Sequence, residues 1–210
     1  MSPELEQYIL DHSEAEPEVL KRLYRHTYLY HLYPHQCSGH LQGRVLSMLS
    51  RMVAPRRILE LGTYTGYSAL CLAEGLTPDG ELHTVDRRDE DADELRALFE
   101  ANDPRIKLHI GDAAEMIETL PGGWDLAFID ADKRQYCRYL ELLVPKMRPG
   151  GFILADNTLW GGKITDPAEK DAQTDGIRAF NDAVAARGAE LRPVMLPLRD
   201  GLTLMQVPKG

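Results

Sequence analysis

Phe128-Ile-Asp-Ala-Asp-Lys133 and Leu154-Ala-Asp-Asn-Thr158 decide how the chain is read. Each is an apolar run that breaks into acidic or amide oxygen donors. Apolar runs without alternation suit strands buried on both faces, as in a parallel sheet. If the two strands lie side by side, Asp130, Asp156 and Asn157 converge at one end of that sheet. Three hard oxygen donors at one point suit a divalent cation, Mg²⁺ first, with Ca²⁺ or Mn²⁺ as alternatives. Lys133 then stands beside the cation as a candidate base.

The same rhythm extends outward. Strands are expected at 58–61, 81–86, 106–110, 124–130 and 152–156. Helices at 65–76, 90–102, 113–120 and 133–147 separate them, the last closed by Arg148-Pro-Gly-Gly151. Residues 157–172 read as a mobile loop rich in Gly, Asp and Lys, and 173–187 as a helix. Two closing strands, 191–198 and 202–207, flank the turn Arg199-Asp-Gly201, whose Asp-Gly pair predicts an antiparallel hairpin. Upstream, Leu5, Ile9, Leu20, Leu23 and Tyr24, then Leu41, Val45, Leu46, Leu49 and Met52, recur at helical spacing. The expected organisation is a single domain with a helical cap at 1–55 and an α/β core at 56–210.

Strands alternating with helices imply a parallel sheet with helices on both faces. Right-handed crossovers bring all C-terminal strand ends to one edge. That edge collects Glu60, Asp86, Asp112, Asp130, Asp156 and Asn157. Acids at the ends of buried strands are costly without partners, and a ligand with a metal ion supplies them.

Composition narrows the classes. The 210 residues, 43% hydrophobic, suffice for one substantial core. A net charge of −9 without a basic stripe argues against a nucleic-acid partner. Cys37, Cys71 and Cys137 are odd in number and widely spaced, which disfavours a disulfide framework or a zinc ribbon. The acidic N-terminus has no apolar leader core, and no apolar run is long enough to span a bilayer. A cytoplasmic chain without a membrane partner is the expectation.

Glu60-Leu-Gly-Thr-Tyr-Thr-Gly66 follows the first strand and opens a helix. Gly62 and Gly66 let backbone approach a ligand at a strand-to-helix turn. Asp86 ends the second strand, where a carboxylate can accept from ribose hydroxyls. A nicotinamide dinucleotide, S-adenosylmethionine and a purely structural turn all remain open. The spacing is not G-x-G-x-x-G, and a carboxylate at Glu60 suits a cationic methionyl end better than a pyrophosphate. Asp112 reads either as an adenine-side residue or as a helix N-cap. His26, His31, His35 and His40 crowd the N-terminal region in no standard metal pattern; an acceptor pocket or a subunit contact fits them better.

Glu60-Leu-Gly-Thr-Tyr-Thr-Gly-Tyr-Ser68, Val85-Asp86, Gly111-Asp-Ala113, Phe128-Ile-Asp-Ala-Asp-Lys133 and Asp156-Asn-Thr-Leu-Trp160 together resemble the cation-dependent O-methyltransferases, the group of catechol and caffeoyl-CoA O-methyltransferases. The motifs occur in order from about Ser38 onward. The resemblance implies a Rossmann-like methyltransferase fold with a seven-stranded, mostly parallel sheet whose last strand is antiparallel. It implies S-adenosylmethionine as donor and a divalent cation. By position, Asp130, Asp156 and Asn157 resemble the metal ligands, and Lys133 the catalytic lysine, with Asp130 beside it. Ser38, Glu60, Gly62, Thr63, Ser68, Asp86, Ala113, Asp130, Asp132 and Tyr139 resemble the cofactor contacts. A small phenolic acceptor with vicinal hydroxyls, free or as an acyl-CoA, and a homodimer are the further implications. Gly161 departs from the asparagine of the plant enzymes, and 26–40 matches them poorly. Both departures fall on substrate-facing parts. The rivals are a dinucleotide-dependent oxidoreductase and an inactive S-adenosylmethionine-binding protein.

Overall fold

In the computed structural model, which describes residues 2–209, the apolar runs become neighbouring parallel strands. They are β1 (Arg57–Leu61), β2 (Glu81–Asp86), β3 (Ile106–Ile110), β4 (Trp124–Ile129) and β5 (Met147–Asp156). β7 (Leu202–Gln206) runs antiparallel to β5, and β6 (Val194–Leu196) pairs antiparallel with β7. Among the described residues these form one seven-stranded sheet in the order β3-β2-β1-β4-β5-β7-β6. The expected mixed sheet with an antiparallel last strand is therefore present.

Side chains of a strand alternate between faces. Leu59, Leu61, Ala127, Ile129, Ile153 and Ala155 enter one core, shared with α6 (Ala113–Thr119), α7 (Tyr136–Leu143) and α8 (Ala172–Ala186). Ile58, Leu82, Leu126, Phe128 and Leu154 enter the other. That second core contains Leu46 of α3 (Gly39–Val53), Leu70 of α4 (Tyr67–Ala73) and Phe99 of α5 (Ala92–Asn102). Glu60 shares the parity of Ile58, and Asp156 that of Leu154. Both carboxylates therefore belong to the α3 face, which decides what can reach them.

α1 (Pro3–Asp11) buries no residue, and α2 (Glu18–Tyr30) buries only Leu20 and Thr27. The cap is fastened by polar contacts as well as packing. Arg44 of α3 pairs with Glu74 at 2.7 Å, and the Thr27 hydroxyl donates to Thr65 at 3.2 Å.

Four local expectations are corrected. Arg148-Pro-Gly-Gly151 lies inside β5 rather than closing a helix; the register jumps from Trp124↔Met147 to Leu126↔Phe152, an irregularity that accommodates Pro149. The helix expected at 133–147 is shortened to α7, flanked by 3₁₀ turns at Lys133–Gln135 and Val144–Lys146, the second containing Pro145, which lacks an N–H. The strand expected at 191–198 shrinks to β6 because Pro193 and Pro197 cannot donate to the ladder, and Gly188–Leu191 forms α9. The loop at 157–172 is not free. Arg178 of α8 donates to the carbonyls of Lys163 (2.8 Å), Ile164 (3.1 Å) and Glu169 (2.6 Å), closing a turn at Trp160–Thr165. Among the described residues, no helix is long and apolar enough to cross a membrane.

Candidate active site

β1 and β4 are neighbours, but β2 and β3 lie beyond β1 while β5 lies beyond β4. A parallel sheet opens a crevice above the carboxyl ends of its strands where the winding reverses. A cleft of about 710 Å³ occupies that place. It is lined by Ser38, Gly62, Thr63, Ser68, Asp86, Ala113, Asp130, Asp132, Lys133, Tyr139, Asp156 and Asn157. Of the cofactor, metal and catalytic residues expected from the sequence, all but Glu60 and Gly66 thus border one space; Gly66 faces Phe99 and Leu95 instead.

The β1 end holds a tight backbone junction. Asp130 N donates to Leu61 O at 2.8 Å. A Cβ on Gly62, whose φ is +100°, would lie 2.1 Å from Asp130 O, so only glycine fits there. Glu60 lies beneath the floor, fully buried. Its Oε2 accepts from the Thr84 hydroxyl at 2.5 Å, and its Oε1 has no partner. Burial pushes this carboxyl up to about 8, against the opposing Ser68 and Thr84 hydroxyls. An unpaired buried carboxylate oxygen next to the cleft fits a cationic ligand group.

Asp86 is fixed by its own surroundings, accepting from Tyr64 N at 2.8 Å and Arg88 N at 3.0 Å. Asp112 caps α6 by accepting from Ala114 N at 2.9 Å, one of its two sequence readings, and it also lines the cleft. Asp132 caps the turn at Lys133–Gln135 and pairs with Arg134 at 2.7 Å, which holds its carboxyl below the usual range.

The β4–β5 end carries the oxygen donors. Lys133, only 8% exposed, donates to Asp130 Oδ1 at 2.6 Å and to the Tyr136 hydroxyl at 2.9 Å. The Tyr136 hydroxyl is 3.2 Å from both Ile129 O and Asp156 O. Asp156 accepts from Gln42 Nε2 at 2.6 Å and from Asn157 N at 2.8 Å. Burial, then the charge of Asp130, pushes the Asp156 carboxyl up to about 6, although both hydrogen bonds oppose the shift. Asn157 has φ +58°, a left-handed conformation that asparagine tolerates better than most residues. Two mutually repelling carboxylates and an amide in one cleft fit a hard divalent cation. Among the described residues, no three His, Cys, Asp or Glu side chains are arranged to hold a metal ion. The amide of Asn157 falls outside those four residue types, and the N-terminal histidines form no such group among the described residues.

Of those histidines, His35 lines the cleft, while His40 bonds Glu14 O at 2.8 Å. Trp160 also lines the cleft, ahead of Gly161 and Gly162, both at positive φ. Asn181 instead donates to Thr158 O at 2.8 Å, bracing the chain just past Asn157. Sequence reasoning missed Gln42, Tyr136 and Arg199. Gln42 had one signal, a polar side chain one turn before Leu46 on the buried face of α3. Tyr136 and Arg199 had none beyond their proximity to Lys133 and the hairpin turn.

The O-methyltransferase family matches the chain over residues 10–207. Caffeoyl-CoA O-methyltransferase 2 of Zea mays is 34% identical, covering 97% of this chain and 82% of the maize protein. The O-methyltransferase TomG of Streptomyces achromogenes, solved with S-adenosylmethionine and involved in tomaymycin synthesis, superposes with a TM-score of 0.88 at 29% identity, covering 98% of this chain and 96% of that one. An O-methyltransferase of Bacillus cereus solved with S-adenosylhomocysteine gives 0.88 at 28% identity, covering 97% and 96%.

Proposed function

Because the chain belongs to the O-methyltransferase family, we propose that it moves the methyl group of S-adenosylmethionine onto a hydroxyl of a small catechol-like phenol, free or as an acyl-CoA, with a divalent cation at Asp130, Asp156 and Asn157. The observation that carries this is the meeting of those three donors and Lys133 in one cleft with the Gly62 turn and Asp86.

The residues divide the work. Gly62 and Thr63 let the cofactor's backbone-facing part approach, and Asp86 accepts from its ribose. Ser38, Ser68, Ala113, Asp132 and Tyr139 border the rest of the cofactor space. Glu60, through its unpaired Oε1, answers the positive charge of the methionyl end. A dinucleotide's pyrophosphate would find no positive charge at Glu60, and would be repelled by it whenever it ionised.

When bound, a divalent cation supplies Lewis acidity that favours the acceptor's oxyanion, and S-adenosylmethionine supplies an electrophilic methyl group. From its fixed position between Asp130 and Tyr136, Lys133 would take the acceptor's proton only as the neutral amine, becoming the ammonium; as the ammonium it would instead stabilise the acceptor's oxyanion. A free phenol near pKa 10 is mostly neutral at pH 7, so this assistance is needed. Two carboxylates and one neutral amide balance a dication, which leaves room for an anionic acceptor. Asn157→Asp would remove that allowance. Holding the acceptor in line with the methyl group contributes further, up to about 7–11 kcal/mol. His35, Tyr33 and Trp160 supply aromatic walls on the acceptor side.

We read the chain as a cytoplasmic homodimer. The exposed run Tyr28, Leu29, Tyr30, Leu32 and Tyr33, with Leu32 89% exposed, supports a subunit contact. Light scattering at micromolar concentration checks it.

The test is methyl transfer from isotope-labelled S-adenosylmethionine, with Mg²⁺, to a panel of catechols, caffeoyl-CoA and single-hydroxyl phenols. Products on the vicinal diols alone are expected. No methylated product on any of them, or hydride transfer from a nicotinamide cofactor, would overturn the assignment.

A further inference from the structure

Gln42 lies 114 residues before Asp156, on the first turn of α3, and is 1% exposed. Its Nε2 donates to Asp156 Oδ2 at 2.6 Å. Its Oε1 accepts from Arg199 Nη1 at 3.0 Å. A guanidinium has donors and no acceptor, so Arg199 dictates which end of the amide faces it. The other end, the NH₂, is left facing Asp156. A flipped amide would set Oε1 against a carboxylate and NH₂ against a guanidinium, losing both bonds.

Arg199 is itself held. It donates to the carbonyls of His35 (3.1 Å), Cys37 (3.1 Å) and Ser38. Its backbone, at φ +47°, belongs to the turn between β6 and β7. One line of hydrogen bonds therefore runs from the segment ahead of α3, through Arg199 and Gln42, to Asp156. The second Asp156 oxygen is engaged by Asn157 N at 2.8 Å. Each oxygen of a carboxylate has two lone-pair positions, so one donor apiece leaves capacity toward the cleft.

We infer that Gln42 is a positioning residue for the cation site: it fixes the Asp156 carboxylate in the orientation that faces Asp130 and Asn157, and Arg199 acts on that site through Gln42. The role rests on the cation reading above. It ties the N-terminal cap to the chemistry by contact rather than by mere proximity. Groups that orient metal ligands in this way are commonly worth about 10- to 100-fold in metal affinity.

The experiment is Mn²⁺ titration of the full chain, followed by the electron paramagnetic resonance signal of free Mn²⁺. Wild type, Asp156→Ala, Gln42→Met, Arg199→Met and the Gln42→Met/Arg199→Met double variant are compared. Methionine keeps the length of glutamine and removes both polar ends. S-adenosylhomocysteine affinity and the thermal unfolding midpoint are measured alongside. The expected result is about a 10- to 100-fold loss of Mn²⁺ affinity in Gln42→Met with S-adenosylhomocysteine affinity within twofold of wild type. The double variant is expected to be no weaker than Gln42→Met, because Arg199 has no separate route to the metal. If Gln42→Met does not fold, Gln42→Asn, which keeps the amide but shortens its reach, carries the same expectation. Mn²⁺ affinity within twofold of wild type in the Gln42 variant, with affinity lost in Asp156→Ala, would overturn the positioning role alone. Wild type and Asp156→Ala binding Mn²⁺ alike, or neither binding it, would overturn the cation reading and the positioning role together.

Discussion

Lys133 Nζ lies 2.6 Å from Asp130 Oδ1, and the same nitrogen lies 2.9 Å from the Tyr136 hydroxyl. The lysine is thus held at two points, inside a cleft where solvent barely reaches it. A side chain held this way acts from one place, as proton transfer requires. Lys133→Ala is expected to lower kcat by roughly 10²- to 10⁴-fold, the usual worth of a positioned acid or base, while S-adenosylhomocysteine still binds. Steady-state kinetics together with a binding titration check this. A kcat within threefold of wild type would remove Lys133 from the chemistry.

Asn157 combines a donor role with an unusual backbone, at φ +58°. Replacing it by alanine or by glycine removes the amide in both cases. Only alanine also meets the left-handed strain, worth about 1–2 kcal/mol. Both variants are expected to lose Mn²⁺ affinity to a similar extent. Asn157→Ala is expected to be less stable than Asn157→Gly by roughly 1 kcal/mol in urea unfolding. Equal stabilities would mean that the conformation at 157 is not strained for alanine.

Glu60 gives a proton-linkage signature. Burial raises its carboxyl to about 8 in the ligand-free chain, with nearby Asp130 and Asp86 adding to the rise. At pH 7 the folded chain therefore holds a proton that the unfolded chain has released. The sign follows: this contribution to stability is fully present at low pH and is lost as pH climbs from the ordinary carboxyl range through about 8. A cationic cofactor group beside Oε1 favours the ionised form, so binding at pH 7 expels the proton. Calorimetry of S-adenosylmethionine in phosphate and in Tris should give different apparent enthalpies, and Glu60→Gln should remove the difference. Matching enthalpies for wild type in both buffers would contradict the linkage.

His83 and His109 stack with their ring centroids 5.0 Å apart and share a 2.9 Å Nδ1···Nε2 contact. Burial holds both below the ordinary histidine range. Glu81, 3.3 Å from His83, opposes this, whereas Arg57 and Lys107 reinforce it for His83. The folded chain therefore binds these protons less readily than the unfolded one. Stability is intact above the unfolded value of about 6.5 and falls as pH drops through the lowered folded values. The raised Glu60 carboxyl works in the opposite sense over the same range, so the histidines are read by difference: on going from about pH 7.5 to 5.5 the urea midpoint of the His83→Gln/His109→Gln double variant should shift further toward stability than that of wild type. An unchanged slope would place the acid sensitivity elsewhere.

The strands and their acidic ends were legible because parallel strands buried on both faces leave unbroken apolar runs, and acids such as Asp130 and Asp156 stand out at the break. The parity of Glu60 was also readable, but not its depth. Nothing local says that Thr84 on the next strand closes over it while Oε1 goes unpaired. Gln42 and Arg199 act across more than 100 residues of chain, so no window of sequence contains their partners. The stretch Arg148-Pro-Gly-Gly151 misled because Pro and Gly mark turns and strand irregularities alike, and only the register between β4 and β5 tells them apart. The loop after Asn157 looked free for a similar reason: Arg178, which gathers its carbonyls, sits a full helix turn into α8.

Chelation is the most direct measurement. Methyl transfer from S-adenosylmethionine to a catechol is followed before and after treatment with EDTA, then after adding Mg²⁺ in excess. Transfer is expected to cease with the chelator, return with Mg²⁺ in the wild type, and stay absent in Asp156→Ala. Undiminished transfer in the presence of EDTA would contradict a cation held by Asp130, Asp156 and Asn157.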